Sequence, residues 1–503
     1  MIDRMIHRRL RRSSFLFVAL ALVATVEGVA LAQAPPVDVE TSAAASRAIE
    51  KLNAPWQRVQ ESNRSWKPIL TAYLDMTRPP EAVGRDFSLG SIWPGMDKWS
   101  EWSAWSEKNA AMGKALIAEQ TKLVFGMPYG ADKVEANFRS RSLFVNITID
   151  PANNRVDCGY LNAIREINAY AITEMWRLGA VGQFDDAFKI GIAHLRLLRQ
   201  VCDQQLVEEK NFALRAFSDS LAVHRDFFQA NLEQIPGELF QRMGTKDYPQ
   251  LRPADGEKLK RIELPEGDRA IAEELLRSCF DENQQASPEL FAQVFAGIQS
   301  DRAPLERFGA VKRWTQLAAL HGSLESSLAK LEAVYDDWWR RWRTRQYDSM
   351  MTVPTDLSRL NPVRYAAVIL SVRDLQDSFT LRRRLIAEFD GTVMSAGLCA
   401  YKRGFGTWPD DVEKLYTAFF PKRYDFDPYD SEYGRFIFKN ISGAKRPIET
   451  IWGRVFVDGA VLYARSNDHN DDDFRLHDAA GLSGDFVVWP ALHQLARSGG
   501  ASQ

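Results

Sequence analysis

VLYARSNDHNDDDFRLHDAAGLSGDFVVW, residues 461–489, is the stretch whose reading decides the fold class. It reads as a strand at 461–464, an acidic loop at 467–473, and a second strand at 486–489 that opens after Asp485. Two short β-rich pieces, 436–438 and 454–457, come before it. Together they predict an antiparallel β meander, preceded by a helix that ends near Tyr401. Upstream of Gly404 the pattern is different, and from about Thr41 onward the chain reads mainly as helices separated by Pro, Gly and Asn clusters. The expected class is therefore a mainly α helical bundle with a small C-terminal α+β domain. Its parts would be a helical domain at 41–375, with an internal boundary in the Pro-, Gly- and charge-rich 245–268, and an α+β domain at 376–497.

Within the helical part, Ile164, Ile167, Ala171, Met175 and Leu178 recur at helical spacing. Gly179 and Gly182 bracket a turn, and Phe184, Phe188, Ile192, Leu195 and Leu198 resume the pattern. This predicts a helical hairpin that looks like one tetratricopeptide-type unit. No second copy follows at a fixed period, so no solenoid is expected. Further on, Ala310, Trp314, Leu317, His321, Leu324, Leu328, Leu331, Tyr335, Trp338 and Trp342 alternate in steps of four and three. Read as one helix, that stripe would run roughly 50 Å and pair antiparallel within the chain, with a coiled-coil dimer as the alternative. Leu143, Val145, Ile147 and Ile149 alternate as in a strand or hairpin arm.

The first residues carry Arg4, Arg8, Arg9, Arg11 and Arg12, then an apolar run at 15–26, then Ala30 and Ala32 at signal-peptidase spacing. A cleavable signal peptide at 1–32 is expected, and with it a periplasmic or extracellular mature protein. As an anchor the run is too short, and Glu27 would fall inside the bilayer. No later segment has the roughly 20 apolar residues of a transmembrane helix. The whole chain has a net charge of −2; without a leader that holds five arginines, Asp3 and Glu27, 59 basic side chains face 64 acidic ones, a balance of −5. That balance argues against a nucleic-acid partner. Cys158, Cys202, Cys279 and Cys399 lack any CxxC spacing, so a zinc knot and a thioredoxin-like centre are disfavoured, and one disulfide or none is expected.

The acidic loop carries the clearest chemistry. Asp468, Asn470 and Asp472 stand at positions one, three and five of a tight loop, the spacing at which side-chain oxygens converge on calcium. The EF-hand pattern then fails, since Asp473 stands where Gly is needed and Ala479 where Glu is needed. Asp485 or a backbone carbonyl would complete a different oxygen cage. A solvated acidic loop is the plain alternative. His469 and His477 flank the loop, but no HExxH or further histidine cluster supports a hydrolytic metal site. His194, His224 and His321 lie on helical patterns and read as core or surface residues.

Trp99, Trp102 and Trp105 form a WxxWxxW run, one broad face if helical. It is a possible ligand strip for a sugar or peptide, with packing into the bundle as the expected fate. The segment at 338–345 is basic and aromatic, and a solvated helical face accounts for it. No GxSxG, Walker loop, SxxK or GxGxxG stands in a supporting context, so no catalytic residue is assigned.

The order Tyr401, Gly406, Trp408-Pro409, Val412, Leu415, Asp427-Pro428-Tyr429, Leu462-Tyr463, Asn467-Asp468, Asp471 to Asp473 and Gly484-Asp485 resembles the carboxyl-terminal domain of type II secretion major pseudopilins. More closely, it resembles large exported planctomycete-type proteins that end in that pattern. The resemblance covers about the last hundred residues. It implies a pilin-like domain with a structural calcium, held by position at Asp468, Asp471, Asp472 and Asp485. Two features depart from the family: Asp473 and Phe474 replace the glycines that usually follow the acidic run, and the prepilin leader is absent, which implies that the chain does not assemble into a pilus. The functional expectation is an exported, non-catalytic binding or structural protein of the cell envelope with a protein or envelope partner. The alternative is a periplasmic hydrolase acting on peptide or glycan through carboxylates in a cleft of the helical domain.

Overall fold

The computed structural model describes residues 41–150, 154–244, 262–302, 307–344, 348–416, 418–430, 432, 434–476 and 484–500. The expected signal peptide at 1–32, His477 and most of the expected boundary at 245–268 lie outside the described residues. Helix α1 (Ala43–Gln57) begins where Ser42 Oγ accepts a hydrogen bond from Ala45 N, 3.1 Å, and donates to Ile149 O, 2.6 Å. One hydroxyl thus caps the helix and ties it to a strand. Its Ala45, Ala48, Ile49, Leu52 and Trp56 form the buried stripe that helical periodicity requires.

Helices α2 (Trp66–Leu74), α3 (Trp99–Lys108) and α4 (Ala110–Glu119) follow. Then comes the hairpin of β1 (Val145–Ile149) and β2 (Asn154–Cys158), antiparallel with Ile147 opposite Val156. Leu143, Val145, Ile147 and Ile149 are all buried, as their alternation predicts. The expected helical hairpin is α5 (Leu161–Ala180) and α6 (Phe184–Val201). Its turn passes through Gly182 at φ 76°, a left-handed conformation that glycine adopts without steric cost. Helices α7 (Val207–Ala230) and α8 (Gly237–Gly244) complete the central bundle, and α9 (Gly267–Arg277) packs on α1.

The aromatic stripe of 310–342 is two helices rather than one. Helix α10 (Pro288–Arg302) pairs with α11 (Arg307–Ala318), and α12 (Leu324–Arg343) starts afresh. The break lies at Gly322-Ser323, where Ser323 Oγ accepts from Ser326 N, 3.3 Å, and caps α12. Leu331, Tyr335, Trp338 and Trp342 are buried, whereas Leu320 is exposed.

Helix α13 (Gln376–Phe405) is the longest and joins the two parts of the fold. One side packs on α7 and α8, where Arg225 and Glu388 form a buried ion pair at 2.5 Å and Phe217 meets Phe389 edge-on. Its other side carries the sheet, and Gly391 permits the close approach: a Cβ there would stand 2.5 Å from Val488 Cγ1. The helix stops at Gly406, φ 74°, whose N–H donates to Lys402 O. The described residues from Thr41 onward form one compact unit.

Strands β3 (Ile437–Asn440), β4 (Arg446–Thr450), β5 (Gly453–Val457), β6 (Ala460–Ala464) and β7 (Phe486–Trp489) follow. The sheet order is β3-β6-β7, all antiparallel, and β4-β5 forms a separate hairpin, so the expected simple meander is replaced by a sheet with an inserted arm. Strand β6 is buried at every position. Its Leu462 and Ala464 join the core that includes α13, while Val461 and Tyr463 join a second cluster with Ile448, Val457 and Phe474. Among the described residues, no helix is long and apolar enough to cross a membrane.

Candidate functional site

Two places draw charged side chains together, the acidic loop beside β6 and β7 and a long cleft on the helical part. In the loop, Asp485 is fully buried and its Oδ2 accepts from the backbone N–H of Asp472, 3.0 Å, and of Phe474, 2.6 Å. Asp485 Oδ1 is buried and has no hydrogen-bond partner among the described residues. Burial pushes this carboxyl up to about 6 against the two amide bonds, and the charges of Asp471 and Asp472 add to the rise.

Asp471 Oδ1 accepts from Tyr463 Oη, 2.9 Å, and from Asp473 N, 3.1 Å; Asp468 Oδ1 accepts from Asn470 N, 3.2 Å. Asn470 is exposed. Asp473 turns away from its neighbours to Lys439, 2.5 Å, and Arg446, 2.6 Å, which hold its carboxyl down at about 2. Asp473 and Phe474 adopt left-handed φ values of 58° and 54°, so the chain makes here, without glycine, the turn that glycines usually provide. His469 Nδ1 lies 2.5 Å from Tyr429 O.

The fit to calcium is incomplete. One buried carboxylate oxygen is open, yet among the described residues no three His, Cys, Asp or Glu side chains come together as a metal-binding group.

The neighbouring segment held chemistry that the sequence reading passed over. Asp425, Asp427 and Asp430 are all buried. Asp427 accepts from Tyr429 N, 2.8 Å, and Arg465 N, 2.9 Å, while Asp430 pairs with the Arg465 guanidinium and Asp425 with Tyr416 Oη. Burial pushes Asp425 up to about 6 and Asp427 to about 7. Three aspartates within six residues were visible in the sequence; Arg465, the partner of Asp427 and Asp430 and 35 positions from Asp430, was not.

The tryptophan run is packing. Trp102 and Trp105 are buried at right angles, 5.5 Å between ring centroids, and Trp105 Nε1 donates to Thr77 O, 2.8 Å. Trp99 is half-buried against the same core. No flat strip of three indoles is presented to a ligand, because α3 turns this face toward α5. The four cysteines are free, buried thiols, with Cys202 and Cys279 each pushed up to about 12 by desolvation. His194 and His224 are buried at helix contacts, and burial holds both imidazoles well below the usual range.

The cleft is the larger feature. Its wider part, about 1180 Å³, lies among β1–β2, α9, α12 and the start of α13, and includes Arg155, Asp268, Trp338, Arg341, Arg373 and Phe379. A second part of about 680 Å³ adds Arg85, Arg165, Phe212 and Arg215, and the two share Arg155, Val156, Val207 and Arg373. Several of these charges already serve the fold. Asp268 accepts from Val207 N, 2.7 Å, and pairs with Arg373, 3.1 Å. Arg341 pairs with Asp337, 2.9 Å, and donates to the carbonyls of Met350 and Val353. Asp374 Oδ1 accepts from Gln376 N, 2.9 Å, at the start of α13. The arginines lining the cleft come from segments far apart in sequence, so no local motif could have announced them. Comparison with protein families, curated proteins and solved structures finds no match to this chain.

Proposed function

We propose that this chain is an exported, non-catalytic binding protein of the cell envelope, whose helical body, including a tetratricopeptide-type hairpin at α5–α6, offers the long cleft to a ligand. The observation that carries the reading is the chemistry of that cleft. Its wider part is lined by Phe379, the edge of the buried Trp338 and four arginines. Arg341 and Arg373 have structural partners and, among the described residues, Arg155 and Arg383 face no such close carboxylate pair, whereas both of its carboxylates, Asp268 and Asp374, serve a structural partner. Guanidinium and aromatic groups recognise ligands; a hydrolase of the alternative kind needs two carboxylates left for acid and base work. The test is to incubate the full chain with a panel of peptides and glycans and to follow both retention on the protein and release of new chain ends. Retention without cleavage is expected. Cleavage that disappears in Asp268→Asn while the melting temperature is unchanged would establish the hydrolase.

In this proposal the C-terminal part is a pilin-like module braced by calcium on the acidic loop. Support comes from α13 backing β6 and β7, and from the open, buried Asp485 Oδ1 beside Asp471 and Asp472. An ion bound only by the folded loop raises stability by about 2.7 kcal/mol at a hundredfold excess over its dissociation constant. A chelator should therefore lower the melting temperature of the full chain, and Asp468→Asn with Asp472→Asn should abolish the difference. Magnesium should substitute poorly. A melting temperature indifferent to calcium at millimolar concentration leaves the solvated-loop alternative.

A further inference from the structure

The narrower part of the cleft is built differently from the wider part. Arg165, on α5, has its guanidinium 4.9 Å from the centre of the Phe212 ring on α7, and its Nη1 donates to Asn162 Oδ1, 2.6 Å. One face and one N–H are thus fixed, and most of its five donors remain. Arg85, from the loop between α2 and α3, lines the same cleft. Among the described residues neither arginine takes part in an ion pair within 4.0 Å. Both line the same part of the cleft; burial, and after it the charge of Arg85, lowers the Arg165 pKa, with Glu208 opposing.

The other charges in this part are largely spoken for. Arg155 lies 3.7 Å from Asp157, Arg215 lies 3.8 Å from Asp377, and Arg373 pairs with Asp268. Five arginines line this part against the three acids Asp157, Glu208 and Asp219. Arg165 is half-buried and Arg85 exposed, two like charges that line one part of the cleft, and an anion taken up between them would relieve their repulsion. Their planar forks match the paired oxygens of phosphate or sulfate.

We infer that Arg85 and Arg165 form a clamp for a tetrahedral oxyanion, a phosphate or sulfate group, with the apolar remainder of the ligand resting on Val83 and Phe87 of the same cleft. This rests on the reading of the cleft as a binding site and gives its ligand a chemical class. Arg165 is the anchored half, and Arg85 closes from the loop. The reach of the cleft into its wider part lets the group sit at one end of a longer molecule.

Calorimetry on the full chain tests this with four probes: inorganic phosphate, sulfate, phenyl phosphate, and vesicles of neutral lipid with or without anionic phospholipid. Saturable binding of phosphate or sulfate is expected, tighter for phenyl phosphate, with affinity falling about tenfold or more in Arg165→Met and in Arg85→Ala. Arg165→Lys should recover only part of the loss, since it keeps the charge without the fork. Unchanged melting temperatures would show that the loss is not misfolding. Binding confined to anionic vesicles, and lost in the same variants, would identify a lipid headgroup as the source of the oxyanion. Failure of the wild-type chain to take up any of the four, or equal binding by the variants, overturns the clamp. That failure leaves the retention assay standing, whereas substrate cleavage would overturn the binding reading and leave the calorimetric result intact.

Discussion

Two fully buried carboxylates, Glu209 in the helical body and Asp485 in the sheet, are held in opposite ways. Glu209 takes Tyr129 Oη at 2.8 Å, Tyr160 Oη at 2.7 Å, Gln204 Nε2 at 3.2 Å and Leu206 N at 3.1 Å, donors gathered from across the bundle. Asp485 takes two backbone N–H groups of its own loop and leaves one oxygen without a partner among the described residues. Burial raises both carboxyls. The body has surrounded its charge with four donors, two of which are bonded further, Tyr129 Oη accepting from Gln205 N and Gln204 Nε2 donating to Met127 O, which is how a charge becomes part of a core. The loop has left a coordination position open, which is how a charge stays available to something else.

The largest expected effect breaks the comparison at its stronger end. Glu209→Ala leaves two tyrosine hydroxyls and the Leu206 amide buried without their acceptor, each an unmet polar group of about 1–3 kcal/mol. A loss of about 3 kcal/mol or more is expected in urea unfolding at constant slope. Asp485→Asn keeps an acceptor for the loop amides, and its cost without calcium should be clearly smaller. Equal costs would mean that the two carboxylates are equivalent fixtures and that the open oxygen carries no meaning.

A smaller effect comes from pH. Asp425 and Asp427 are raised to about 6 and about 7, mainly by burial, from an unfolded value of about 3.9. Because the fold favours their protonated forms, the stability they contribute is fully present below that unfolded value and is lost as pH rises through 6 to 7. The full chain should therefore be less stable at pH 8 than at pH 5, by on the order of 1 kcal/mol from these groups. Asp427→Asn should flatten the slope while lowering stability throughout, since an amide cannot accept from both Tyr429 N and Arg465 N as the carboxylate does. A profile that rises from pH 5 to 8 in the wild-type chain and is unchanged in the variant would place the pH response elsewhere.

The sequence was most legible where neighbours in the chain are neighbours in space. The alternation from Leu143 to Ile149 and the stripe either side of Gly182 read directly as the β1–β2 arm and the α5–α6 hairpin. The stripe that ends at Trp342 misled, because apolar spacing continued across a turn whose only local mark is Gly322-Ser323. Strand β4 was missed since Pro447 interrupts it, a residue that a two-stranded arm with open edges tolerates. The site was legible in the same uneven way. The acidic loop is a local feature and could be found, whereas the direction of each carboxylate depends on Tyr463, Lys439 and Arg446, which the sheet brings from elsewhere. Arg85 and Arg165 lie on different elements and line one cleft only once α5 and the loop before α3 have packed.

The smallest effect sharpens the comparison within the loop itself. Asp473 is drawn to Lys439 and Arg446 on the strands, away from Asp471 and Asp485, and it remains about 40% exposed. Exposed pairs of this kind contribute about 0.2–1 kcal/mol, and salt screens them. Its carboxyl is held down at about 2, so the contribution is present above the unfolded value and is lost as pH falls through 2. Asp473→Asn tolerates the left-handed φ of 58° and removes only the charge. The expected cost is under about 1 kcal/mol at low salt, shrinking toward zero in molar salt. If Asp471 and Asp485 face an ion and Asp473 faces the strand cations, the variant should keep the full calcium response of the wild-type chain. Loss of that response in Asp473→Asn would assign all the loop carboxylates to one shared charge cluster and erase the division between them.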